Sequence, residues 1–274
     1  MNSNINQNRH NNPNQIEEKK SIFAPNKLVA IVFYLLGILI LGSLFIIICG
    51  AIAGSVSGAG SGRIIELIMD SSKLDTMTDL ETNAYYSAQG FGNALTYIFM
   101  AIGVIFFMRD EFVNDFNALK EKKKIYSIYI PCAAVLFSGL AILISFIFGK
   151  IAGSSENQNS IELMMKYSGA APMIFATILL APVVEESIFR KCIFYYGRNI
   201  PVWISYAVSA LLFTLPHMLS SDISNFGNWT LLCIPYLLDA LLLCTVYHLS
   251  KKNIYAVICA HMLNNIIAVI LVFI

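Results

Sequence analysis

Seven apolar stretches, each near the roughly 20 residues that a helix needs to cross a bilayer, dominate this chain and leave it few alternatives. They run Leu28 to Gly54, Phe91 to Met108, Ile125 to Gly149, Ala170 to about Gly197, Pro201 to Leu219, Trp229 to Leu249 and Ile254 to Ile274. In a bilayer every backbone polar group must be satisfied within the segment, so such runs predict an all-α, polytopic transmembrane helix bundle of about seven spans, six to eight. Composition agrees: 57% of the 274 residues are hydrophobic and only 13% are charged, and the mean hydropathy is +0.67. The first run is too long for the apolar core of a signal peptide and is expected to remain as a helix.

Residues 1 to 27 are polar and Asn-rich and are expected to form a disordered cytoplasmic tail. Residues 28 to 169 then hold the N-terminal membrane helices and loops, and 170 to 274 hold the core that carries the chemistry. Placing the N terminus inside gathers Lys19, Lys20, Lys27, the loop at 118 to 124, Arg198, Lys251 and Lys252 on one side, with Arg63, Lys73, Lys150 and Lys166 on the other. The positive-inside rule therefore predicts N-in and C-out. A net charge of +1, with the bases lying beside apolar runs, gives no footprint for a nucleic-acid partner. None of the six cysteines has metal-ligand spacing, so no disulfide frame or cysteine metal site is expected.

Two other features are open. Gly50, Gly54, Gly58 and Gly62 recur every four residues, either as a close-packing helix face or as a flexible linker. The acidic segment from Arg63 to Gln89 is partly amphipathic and is expected to lie as a loop on the membrane surface.

Against this oily background the ionisable residues stand out, because a charge at the bilayer centre costs about 2.5 to 3.5 kcal/mol on insertion scales. The stretch "APVVEESIFRK" sets Glu185, Glu186 and Arg190 into the fourth run. Residues four apart share a helix face, so Glu186 and Arg190 are expected to pair, while Glu185 is rotated away by about 100° and keeps a buried carboxylate for proton chemistry. Pro182, one turn earlier, is expected to open the backbone there. His217 ends "FTLPH", with Phe213 on its own face, and His261 opens "HMLNN", with Asn265 one turn on. Counted along the helices, Glu185, His217, His261 and Asn265 lie at similar depths, about 14 to 26 Å from the inner surface. Asp239 is a further buried acid that is either a partner of His261 or Arg190 or a packing residue. Such a set suits water activation by a carboxylate and oxyanion stabilisation by histidine and amide groups, and so peptide-bond hydrolysis within the membrane. The HExxH, GxSG and GxGD signatures of other membrane proteases are absent.

The order EESIFR (185 to 190), FTLPH (213 to 217) and HMLNN (261 to 265) resembles the EExxxR, FxxxH and HxxxN motifs of the CPBP family of CAAX proteases and bacteriocin-processing enzymes, also called Abi, over roughly Ala170 to Ile274. What the resemblance implies is an intramembrane endopeptidase. In it Glu185 activates water together with His217, His261 and Asn265 stabilise the oxyanion, Glu186 and Arg190 support the pocket, and Phe213 packs behind His217. A metalloprotease reading makes Glu185, His217 and His261 ligands of Zn²⁺, with water as the fourth, beside a metal-free glutamate mechanism. The implied substrate is a prenylated or membrane-bound protein or peptide, or a bacteriocin-like peptide, met in the cytoplasmic membrane of a bacterium. A bacteriocin immunity or maturation protein acting by binding or by proteolysis, or a proton-coupled transporter, are the other classes such residues would serve. Pro216 before His217, and Asn264 beside Asn265, depart from the pattern.

Overall fold

The computed structural model describes residues 24 to 274, and the expected tail falls largely outside them. Among the described residues the chain is helical with no strands. We number the helices α1 Pro25–Ser57, α2 Ser61–Met69, α3 Asp79–Phe107, α4 Arg109–Glu121, α5 Lys123–Ala152, α6 Glu156–Met164, α7 Ala170–Asn199, α8 Val202–Met218, α9 Phe226–Leu249 and α10 Ile254–Val272. Six of them (α1, α3, α5, α7, α9 and α10) are long and apolar enough to cross a membrane; α8, with 17 residues, is shorter. All seven apolar runs are therefore helices.

Helix boundaries depart from the runs where polar residues cap or pair. Pro25 at the first turn and the ion pair of Lys27 with Glu111 start α1 three residues ahead of Leu28. Thr78 and Glu81 close a reciprocal capping box, which starts α3 at Asp79, well before the apolar run. The segment after Arg63, expected as a loop, instead forms α2 and a 3-10 turn, because Ile64 and Leu67 bury fully against Ala84. The expected basic loop at 118 to 124 is likewise mostly helix: α4 runs to Glu121 and α5 restarts at Lys123. One face of α4 carries Glu111 and Asp115, and Asp115 Oδ2 accepts from Lys191 Nζ at 2.6 Å and from the Ile254 backbone N–H at 2.8 Å. The glycine repeat divides in two. A side chain at Gly54 would meet the Gly60 carbonyl oxygen at 2.7 Å, so close packing requires glycine there, whereas Gly58 has φ +81° at the end of α1 and nothing packs on Gly62.

α7 lies at the centre, packed against α1, α3, α8 and α10. Two of its stretches, Ala176–Leu180 and Ser187–Cys192, are π-helical, and they bracket the Glu185–Glu186 pair. The α9 helix ends in a Schellman turn, in which Lys252 N–H bonds to Tyr247 C=O at 2.8 Å and Lys251 N–H to His248 C=O at 3.1 Å. Lys251 and Lys252 both have left-handed backbones (φ 58° and 62°), a conformation that costs a non-glycine residue about 1 kcal/mol or more.

Candidate active site

Glu185, Glu186 and Arg190 are buried in the middle of α7, and they converge with His261 from α10. Glu186 is the hub. Its Oε1 accepts from His261 Nδ1 at 2.8 Å, and its Oε2 lies 3.1 Å from Arg190 Nε, a contact ion pair without hydrogen-bond alignment. The π turn that begins at Ser187 accounts for that misalignment, because it shifts Arg190 from where a regular α-helix would present it. Arg190 Nη2 donates to the Ala240 carbonyl of α9 at 3.2 Å, and its guanidinium lies 4.7 Å from the centre of the Phe213 ring. The expected Glu186–Arg190 partnership is thus present, with His261 as an added third member.

Glu185 is not left alone beside this pair. Its Oε1 accepts a hydrogen bond from Tyr97 Oη on α3 at 2.9 Å, and its Oε2 lies 4.0 Å from His261 Nε2. Since the Glu186 carboxylate can only accept, His261 carries its proton on Nδ1, and in the neutral ring Nε2 presents a lone pair towards Glu185.

His217, half-buried at the end of α8, is on the other side of Phe213. Its Nδ1 donates to the Phe213 carbonyl at 2.8 Å, leaving Nε2 unprotonated in the neutral ring. The His217 ring stacks on Phe213, with 4.7 Å between centroids, and meets Tyr236 at 4.9 Å. Pro216 lacks the N–H that would bond one turn back, and the imidazole folds onto the Phe213 carbonyl next to that gap. Phe213 also meets His261 edge-on at 6.1 Å, so a single ring separates the two histidines. Glu185 approaches His261 at 4.0 Å; no hydrogen bond or ion pair joins it to His217 among the described residues.

Asn265 Nδ2 donates to the Thr177 carbonyl at 2.8 Å. That carbonyl is available for a local reason: in the π stretch the Ala181 N–H reaches back to Ala176 C=O, and the next residue in register is Pro182, which has no N–H. Pro182 therefore opens the backbone as expected, and Asn265 of α10 closes it from outside. Asn265→Asp should consequently destabilise the fold more than Asn265→Ala, since a carboxylate would face a carbonyl oxygen. A thermal melt in detergent is expected to rank wild type above Asn265→Ala and both above Asn265→Asp, with about 1 to 3 kcal/mol for the loss of the bond.

Asp239 forms no hydrogen bond to His261 or Arg190, and its Oδ1 is buried without a partner. The α9 residue that does reach Arg190 is its neighbour Ala240. Tyr97 and Tyr236 are not among the sequence candidates; a hydroxyl inside an apolar run is the one signal that points to either. For zinc, no group of three or more His, Cys, Asp or Glu is placed to hold a metal ion among the described residues. Glu185, His217 and His261 do not converge as arranged, since His217 is turned to the Phe213 carbonyl.

A helical membrane bundle with an ionisable centre built on its fourth and last spans is the class this geometry defines. Residues 167–267 match the family described as type II CAAX prenyl endopeptidase Rce1-like, which supports the likeness of this segment to the CAAX protease (CPBP) family. An uncharacterised protein of Mycoplasma capricolum subsp. capricolum is 28% identical over 166 residues, 57% of this chain and 47% of that protein. The chain thus spans about half the length of that curated relative. No solved structure matches.

Proposed function

We propose that the protein is an intramembrane endopeptidase of the CAAX type, which hydrolyses a peptide bond near the C terminus of a membrane-associated protein or peptide. The observation that carries this reading is the 4.0 Å gap between Glu185 Oε2 and His261 Nε2 inside the segment that matches the family. Two acceptors so placed are too far apart to bond each other, yet one water can touch both at about 2.8 Å. Both of its protons then point at bases, and a lone pair is turned outward to a carbonyl carbon. As the water oxygen bonds to that carbon, one proton passes to Glu185. When the C–N bond breaks, the same proton leaves with the departing amine.

In this reading Glu186 holds His261 in the tautomer whose Nε2 faces the water, and Arg190 keeps Glu186 in place. The water belongs to Glu185 and His261 together. The second N–H of Asn265 is then the donor for the oxyanion, and the His217 Nε2 lone pair an acceptor for the N–H of the departing amine. Substrate enters as a membrane-bound peptide, prenylated or not, from the bilayer of the cytoplasmic membrane, where an N-in chain would present these helices.

Tyr97 fixes Glu185 through the Oε1 bond and leaves Oε2 for the water. A hydrogen bond to a charged group contributes about 1.5 to 3 kcal/mol, so Tyr97→Phe should lower kcat by about 10- to 100-fold with KM little changed. Steady-state kinetics in detergent would check it. The function itself is tested by incubating the purified full chain with a farnesylated CAAX reporter and with an unprenylated membrane peptide, beside Glu185→Ala and His261→Ala. Cleavage by wild type that both variants lose supports the peptidase. Cleavage undiminished in both variants would remove these residues from the reaction.

A further inference from the structure

At one end of the bundle, where α1 begins, α7 ends and α9 turns into α10, the helices enclose a cavity of about 230 Å³. Lys27, Lys191, Arg198 and Lys252 line it with positive charge. Among the described residues two carboxylates stand beside these cations, Glu111 at Lys27 and Asp115 2.6 Å from Lys191. The cations are also drawn together: Lys27 Nζ and the Arg198 guanidinium approach the same Tyr195 ring, at 4.4 and 4.1 Å. Like charges gathered in one cavity repel, and a further anion among them relieves that repulsion.

Lys252 adds an independent observation. Its side chain stands exposed at the mouth of the cavity, its carbonyl accepts from Lys191 Nζ at 3.3 Å, and no carboxylate pairs with it among the described residues. It is presented there by a left-handed turn that glycine or asparagine would adopt with less strain, and two lysines occupy it. Strain kept at a charged mouth points to a use for the charge.

We propose that this cavity binds the phosphodiester headgroup of an anionic membrane lipid. Its place decides between lipid and soluble phosphate. Basic pockets between membrane helices at the headgroup level hold anionic lipids, and here the chain positions next to the bases are exposed and apolar: Leu28 and Val29 after Lys27, Val202 and Trp203 after Arg198. Acyl chains can lie against those residues while the phosphate sits among the ammonium groups, and an indole at that level anchors the interface. The proposal does not rest on the peptidase reading, because the cavity shares no side chain with the Glu185–His261 centre.

The test uses the full chain, delipidated in detergent and titrated with phosphatidylglycerol, phosphatidylcholine or inorganic phosphate, with bound lipid counted by native mass spectrometry. Wild type should bind phosphatidylglycerol at least about fivefold tighter than phosphatidylcholine for each lysine engaged near the headgroup. Lys252→Ala should reduce that preference by about fivefold and Lys252→Glu by more, while Lys252→Arg and the exposed Lys166→Ala preserve it. Equal retention of the two lipids, or an undiminished preference in Lys252→Glu, would overturn the proposal. Displacement of bound lipid by millimolar inorganic phosphate would overturn it too, in favour of a soluble phosphate ligand.

Discussion

Glu185→Gln is expected to lower kcat for peptide cleavage by about 10²- to 10⁴-fold while leaving the thermal stability of the bundle close to that of wild type. The two parts of this result have separate causes. Stability holds because the amide keeps the shape of the carboxyl group, and its carbonyl oxygen can still accept from Tyr97 Oη, now 2.9 Å from Oε1. Activity falls because the other end becomes an NH₂ group facing the His261 Nε2 lone pair across the 4.0 Å gap. A donor there no longer takes a proton from water, and it competes with water for the imidazole. KM should change little, since neither atom is asked to hold the peptide in the ground state. A Glu185→Gln enzyme that kept a tenth or more of the wild-type rate would remove Glu185 from the role of base. In that case His217 with its free Nε2 would be the next group to test.

How far this centre could be read in the sequence depends on whether its contacts lie along one helix or between helices. Glu186 with Arg190 and Phe213 with His217 are four residues apart, and the helical repeat alone puts each pair on one face. The opening at Pro182 was legible for the same kind of reason, since proline lacks a donor wherever it stands. The bond of Tyr97 to Glu185 and that of His261 to Glu186 cross 88 and 75 residues, and no spacing rule relates positions on different spans. Only packing decides them. Packing also brings the Thr177 carbonyl freed by Pro182 to Asn265. Asp239 shows the same limit from the other side: depth alone left it open as a partner of His261, a partner of Arg190 or a packing residue, and it is the backbone of the next residue that reaches Arg190. The helices themselves were readable from hydropathy because lipid leaves the backbone no other choice. Their amphipathic extensions α2 and α4 were not, since they are held by ion pairs and small apolar contacts that hydropathy averages away.

Arg190→Met is expected to be the most destabilising single change in the chain. Both Arg190 and Glu186 are fully buried, so removing the guanidinium leaves a carboxylate in a low-dielectric interior with only His261 Nδ1 as donor. Breaking a buried pair in this way costs about 3 to 5 kcal/mol, most of it the uncompensated charge left behind. The lost contacts to the Ala240 carbonyl and the Phe213 ring add to it. Glu186→Gln alone should be milder, because Arg190 retains both of those contacts and the amide oxygen can still accept from His261. The informative variant is the double one, Glu186→Gln with Arg190→Met, which buries no net charge and should be more stable than Arg190→Met alone by about 1 to 3 kcal/mol. Unfolding of the four proteins in mixed micelles would give the cycle directly. If the double variant were instead as unstable as the sum of the two singles, the residues would be uncoupled, and the 3.1 Å contact between them would have no energetic meaning. With coupling found, the same double variant separates structure from chemistry: it should fold, yet cleave slowly, because a neutral amide in place of the Glu186 carboxylate no longer gives His261 Nδ1 a charge-assisted hydrogen bond.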